Sequence, residues 1–320
     1  MNNLNNNINK KNVIEILNKF KTGIGLLILV TVLSFMSPYF LTIPNLLNVV
    51  RQVSIIAIIS FGMTMVILTG GIDLSVGSML AFSGAVAAGM IVNSGLNVFV
   101  AILIGLAAGT ALGLFNGIAV AKAKLPAFIV TLAMMTVARG FTLIYTNGRP
   151  ISGFDETFRF FGAGYLGRIP VPVIIMFILL FIIYILLKKT PLGRYIYAIG
   201  GNEKATKLSG INTDRIKIAV YALNGFLAAV SGIILTSRLN SAQPMAGEGY
   251  ELDAIAAVVL GGTSLSGGSG GVVGTIIGAL IIAVLNNGLN LLNVSSFYQL
   301  VAKGAVILLA VFLDRKSQQQ

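Results

Sequence analysis

From Gly23 to Leu313 nearly the whole chain falls into apolar runs, most of them 17 to 25 residues long and joined by short connections. About 20 helical residues cross the roughly 30 Å hydrocarbon layer of a bilayer, and each run is of that order. Hydrophobic residues make up 56% of the chain and charged residues 10%. The mean hydropathy of +0.92 lies far outside the balance of soluble domains. The expected fold class is therefore an all-α integral membrane protein, with no stretch left over for a separate soluble domain.

The chain has no Cys and no His. That removes disulfides, thiolate or imidazole metal sites and His-based catalysis, so no metal and no cofactor is expected. A net charge of +12 raises nucleic acid as a partner, but the basic residues sit in loops between apolar runs and form no aromatic-interleaved patch. The preference of Lys and Arg for cytoplasmic loops accounts for them.

That preference also gives a topology. Lys10, Lys11, Lys19 and Lys21 precede a first span beginning at Gly23, and further spans are predicted at about 47–69, 75–93, 97–121, 126–146, 171–188, 216–237, 251–262, 271–292 and 297–313. With these ten crossings, the N-terminus and the basic clusters at 122–124, 188–217 and 315–316 all face the cytoplasm. Residues 1–21, rich in Asn, read as a disordered tail, 22–313 as one membrane domain and 314–320 as a second short tail. The run from Glu251 to Gly262 is only twelve residues, about 18 Å of helix, so it is either a half-helix that turns back or a crossing continued through Gly-rich chain.

An internal repeat overlies this pattern. Residues 70–78 read GGIDLSVGS and 261–269 read GGTSLSGGS, 191 positions apart, and NSGLN at 93–97 is echoed by NNGLN at 286–290. Paired apolar segments broken by glycine at matching places point to a solute pathway, while small residues also serve close helix packing. Gly70, Gly71, Gly77, Gly261, Gly262 and Gly268 are the expected turn or hinge glycines. Asp73, Ser75, Ser78, Thr263, Ser264 and Ser266 are the polar groups available to a polyhydroxylated solute, and Asp73 is equally suited to helix capping. Arg139 stands about seven residues inside the outer end of its span, where it either snorkels to the surface or faces a pathway.

Two loops add detail. The outer loop 146–170 carries Phe154, Phe158, Phe160, Phe161 and Tyr165, which suits a short interfacial helix, whether as an aromatic belt or as a docking rim. The cytoplasmic loop, about 189–215, has helix breakers at Pro191 and Gly193 and a turn at Gly200 and Gly201. Asn202 can cap a short helix from Glu203 to Ser209 that stops at Gly210. Such a helix lies on the membrane surface with a small apolar side that suits a groove on a soluble partner.

RYIYAIGGNEKATKLSGI resembles the cytoplasmic coupling loop of permease subunits of bacterial ATP-binding-cassette sugar importers. ILTGGIDLSVGS and GYELDAIAAVVLGGTSLSGG resemble the two other signatures of that family, in its order and spacing. The carboxyl third is similar to members that carry ribose, and xylose, galactose, allose and autoinducer permeases share much of the pattern. The resemblance implies a subunit of the bacterial plasma membrane that moves ribose or a related monosaccharide inward. It further implies a homodimer in the bilayer, joined to a cytoplasmic ATP-binding subunit and served by an extracytoplasmic sugar-binding protein. ATPase coupling is then expected at Gly200, Gly201, Asn202, Glu203, Ala205, Leu208 and Gly210. The Glu-Ala-Ala motif of the wider importer class reads Glu203-Lys204-Ala205 here.

The residues agree on one point: no GxxxxGK[ST] phosphate cradle occurs, so ATP is hydrolysed in another chain. A secondary transporter working without an ATPase is the alternative, although the spans offer few ionisable groups for ion coupling. A membrane-embedded enzyme would need catalytic equipment that the chain lacks.

Overall fold

The computed structural model describes residues 22–318; the amino tail assigned to 1–21 lies outside them. The helices are α1 Thr22–Met36, α2 Ile43–Leu68, α3 Val76–Val92, α4 Val98–Ala121, α5 Ala127–Thr146, α6 Glu156–Ala163, α7 Val171–Lys189, α8 Pro191–Leu208, α9 Thr213–Leu239, α10 Tyr250–Leu260, α11 Val272–Leu291 and α12 Ser296–Gln318. Four two-residue strands form two antiparallel pairs, β1 (Ile151–Ser152) with β4 (Ser241–Ala242) and β2 (Tyr165–Leu166) with β3 (Ile169–Pro170).

Among the described residues, six helices are long and apolar enough to cross a membrane: α2, α4, α5, α7, α9 and α11. The expectation of about ten is corrected accordingly. α1 and α3 are apolar but shorter, with 17 residues in α3, and α10 has 11, about 16 Å of helix.

α2 is the axis of the bundle. Every residue from Val53 to Leu68 is buried, as a helix apolar on all sides must be when neighbours surround it. It packs against α9, α11, α10 and α7. Its hydroxyls are satisfied within the helix, Ser54 donating to the Val50 carbonyl, Ser60 to Ile56 and Thr64 to Ser60. Thr64 Oγ1 also meets Thr275 Oγ1 of α11 at 2.8 Å.

α4 approaches α9 through a stripe of Gly105, Gly109, Gly113 and Gly117, spaced four apart on one helix face. Side chains on this stripe would collide with Ser83 and Ala87 at one end and with Ala229, Gly225, Tyr221 and Ile218 along α9. Without a water-driven force between helices in lipid, such backbone proximity is a main source of association.

The repeat is visible in the packing as an exchange. An offset of 191 residues places α1 on the first half of α9. α1 joins the second copy: Thr22 Oγ1 donates to the Leu260 carbonyl at 3.0 Å and Leu33 lies over Gly288 of α11. α9 joins the first copy, packing on α2, α3 and α4. Each copy thus completes its core with the leading helix of the other.

The outer loop forms α6, capped by Asp155, which accepts from Phe158 N at 3.0 Å. Ser237 Oγ donates to the Phe158 carbonyl and accepts from Gly162 N, clamping α6 to α9. Phe154 and Phe158 turn inward with ring centroids 4.7 Å apart, while Phe160 and Tyr165 remain exposed.

Candidate functional site

Glycines from three segments far apart in sequence meet at one junction: Gly70, Gly200 with Gly201, and Gly267 with Gly268. The amide of Gly268 in the second turn donates to the carbonyl of Leu68, the last residue of α2, at 3.0 Å. Gly200 of α8 sits over this bond, where any Cβ would collide with Leu68 O and Gly268 N. Gly267 is left-handed at φ +86°, and a Cβ there would lie 3.1 Å from both Gly200 Cα and Gly70 N. Only glycine permits both that backbone conformation and that approach.

α8 is bent at the junction. Asn202, at φ −161° and ψ 100°, interrupts it and divides it into two arms. Thr190 caps the first arm by accepting from Gly193 N at 3.2 Å. Tyr197 pins that arm to the second turn, donating to the Gly270 carbonyl at 2.8 Å. Burial pushes the Tyr197 phenol above its ordinary pKa, which keeps it a donor. Asn202 Oδ1 caps the second arm by accepting from Ala205 N at 3.0 Å, and the arm ends before Gly210 at φ +83°. Glu203 pairs with Lys217 at the foot of α9 at 2.6 Å. Leu208 projects from the tip with 89% of its surface exposed. Beside the junction a cavity of about 250 Å³ lies between Tyr184, Lys188, Tyr197 and Gly270–Gly274.

The first turn is held by a buried polar network. Asp73 is fully buried; its Oδ1 accepts from Ser75 N at 2.9 Å and from Ser75 Oγ at 2.5 Å. Its Oδ2 accepts from Asn224 Nδ2 of α9 at 2.9 Å. Asn116 of α4 donates to Ser75 Oγ at 2.9 Å, so one carboxylate ties the turn to two other helices. Thr131 of α5 adds a bond to the Ile72 carbonyl at 3.2 Å. Gly71 faces the Tyr221 hydroxyl, and Ser78 is buried one turn into α3.

In the second turn, Thr263 Oγ1 accepts from Gly271 N at 3.2 Å, and Ser264 Oγ accepts from Ser266 N at 3.1 Å. Thr263 and Ser264 are buried and Ser266 is exposed. Gly261 lies against Gly274 of α11, and Gly262 adopts φ +86°. The structure brings Asp73 and Ser75 together, and Thr263 with Ser264 and Ser266, but in separate clusters. In this conformation the buried hydroxyls close their own turns.

Arg139 does not snorkel. Its Nη1 donates to the carbonyls of Pro244 at 2.6 Å and Ala246 at 3.0 Å, in the chain leading into α10. Gly77 packs against the same stretch, meeting the Gly247 carbonyl and the Glu251 carboxylate. The sequence reading assigned no role to residues 243–249, although the breaker-rich string QPMAGEG ahead of a short apolar run was the available signal. Asp253 is buried and paired with Lys303 at 2.9 Å.

Comparison with known proteins shows the family. The family model for the branched-chain amino acid transport system / permease component matches residues 45–311. The ribose import permease protein RbsC of Bacillus subtilis is 59% identical over 303 residues, covering 94% of each chain. The Escherichia coli K12 protein of that name is 57% identical, covering 93% of this chain and 94% of its own. The D-allose transport system permease protein AlsC of Escherichia coli is 42% identical, covering 93% and 91%. No solved structure matches the chain. With most of its length matched by the family model and by full-length relatives, the chain belongs to this family of multi-pass membrane permeases.

Proposed function

We propose that the chain is the membrane-spanning subunit of an ATP-binding-cassette importer that carries ribose, or a closely related monosaccharide, into the bacterial cytoplasm. The relatives named for ribose import support that substrate ahead of allose, whose permease is less similar. As a permease component it carries the path, and ATP hydrolysis lies in a partner subunit. A second copy of this chain in the bilayer and an outer sugar-binding protein complete the assembly.

One observation carries the mechanism: the bend of α8 sits against both glycine turns at once. The second arm, from Glu203 to Leu208 with its exposed leucine, is the element that a cytoplasmic ATPase grips. Force on that arm reaches Gly200 and Gly201, then Leu68 at the end of α2 and Gly268 ahead of α11. Both repeats are thereby moved by a single lever, which is what alternating access requires of two related halves. Gly70, Gly71, Gly261, Gly262 and Gly268 serve as the turns that accommodate the motion, while Gly77 lies within α3 against Gly247. Asp73, Ser75, Ser78, Thr263, Ser264 and Ser266 keep each turn intact while it moves.

The six long helices are full crossings. Both glycine turns meet α8, which supports a parallel repeat. Residues 22–313 form the membrane domain, residues 189–215 its coupling loop, and 1–21 and 314–320 its tails.

Reconstitution with the ATPase and binding protein in vesicles tests this reading. We expect uptake of labelled ribose, above xylose, galactose and allose, that needs ATP and both partners. Uptake by this chain alone on an ion gradient would replace it with a secondary transporter.

A further inference from the structure

The chain between β4 and α10 descends into the bilayer without helical structure. Ser241 and Ala242 pair with β1 just beyond the outer end of α5, yet Gly247 packs on Gly77 in the first turn of α3. Gly77 is fifteen residues from Val92, about 22 Å of helix below the end of α3. A second measure agrees. The turns after α2 and α10 are bonded together, but α2 has 26 residues and α10 has 11, about 39 Å against 16 Å. Residues 243–249 therefore occupy the level of the hydrocarbon layer.

Irregular backbone at that depth persists only where protein buries it or where it borders water. Protein covers part of it: Arg139 takes the carbonyls of Pro244 and Ala246, and Gly247 lies flush on Gly77. The opposite edge is open, with Gln243, Met245 and Glu248 exposed and Leu252 continuing the edge into α10. A carboxylate and an amide exposed at this depth cannot face acyl chains without heavy cost.

We propose that this edge, with Gln243 and Glu248 as its polar groups and Met245 between them, lines the outer half of the solute path. Resting on the importer reading above, it assigns the sugar-facing groups of that path. An acceptor carboxylate and an amide suit the hydroxyl edge of a monosaccharide, and the methionine suits its C–H face. Arg139 is a positioning residue, holding the edge in place through backbone carbonyls.

The absence of native cysteine allows a direct test in vesicles containing the full transporter with its ATPase and binding protein. Single substitutions Gln243→Cys, Met245→Cys and Glu248→Cys are exposed to a charged, membrane-impermeant thiosulfonate from each side. Leu103→Cys on α4, an apolar position 65% exposed within a long span, is the control. We expect labelling of the three positions about tenfold or more faster than the control, because a charged reagent is excluded from acyl chains. Sugar-loaded binding protein is expected to alter the rate, and Glu248→Gln to change uptake while the complex still assembles. Labelling no faster than the control in the ATP-free, ATP-bound and vanadate-trapped states would overturn the proposal. Uptake by the unsubstituted parent reads the importer assignment separately, so the failure of one is distinguishable from the failure of the other.

Discussion

Gly200 of α8 lies so close to the carbonyl of Leu68 that no side chain fits between them. The neighbouring Gly201 meets nothing within 4 Å of its Cβ position. A side chain at 200 would force the two backbones apart, whereas one at 201 has room.

Gly200→Ala is therefore expected to separate α8 from both turns, destabilising the fold by about 1–3 kcal/mol and uncoupling ATP hydrolysis from uptake. Gly201→Ala should leave coupling near the parent level. ATPase activity and ATP-driven uptake of each variant, measured in the same vesicles, check the contrast.

Asp73 accepts from Ser75 and Asn224 while fully buried. Asp73→Ala leaves those donors unsatisfied, and we expect a loss of about 1–3 kcal/mol per orphaned donor. Asn224→Leu removes one donor of the same network, so the double variant should lose less than the sum of the two. Thermal unfolding of the detergent-solubilised protein reads this directly, and additive losses would contradict the network.

Leu208 is exposed at the tip of the second arm and supports no core. Leu208→Glu should change stability by no more than about 0.5 kcal/mol, yet weaken capture of the ATPase subunit. Co-purification at matched expression, with the melting midpoint as control, tests this.

The α4–α9 seam depends on backbone contact. Gly113→Leu would drive a side chain into the Tyr221 carbonyl and Gly225, and we expect little folded protein in the membrane. Gly140→Leu on α5 meets nothing within 4 Å and should be tolerated. Yield of monodisperse protein after solubilisation distinguishes the two.

The limits of the long helices were legible from hydropathy to within a few residues, because glycine, proline and asparagine mark their ends. The span expected at 97–121 is Val98–Ala121, and the one at 126–146 is Ala127–Thr146. The short run after residue 250 was recognised as too short to cross alone, and it is 11 residues of helix. Local chemistry also marked Asn202 as a cap, since capping needs only an acceptor placed three residues before a free amide. Depth was not legible. Nothing local to Gln243–Gly249 states that Gly77 lies beneath it, nor that Arg139 would bond its carbonyls instead of reaching for the surface.

Membrane class, repeat and the lack of a phosphate-binding loop followed from the amino-acid sequence alone, because hydropathy, periodicity and motif spacing are properties of neighbouring residues. The exchange of α1 and α9 between the copies, the Asp73–Asn224 tie and the junction of Gly70, Gly200 and Gly268 were decided by the tertiary structure. Each joins residues more than 60 positions apart. In lipid, hydrophobicity no longer selects helix partners, so close backbone fit and buried polar pairing do.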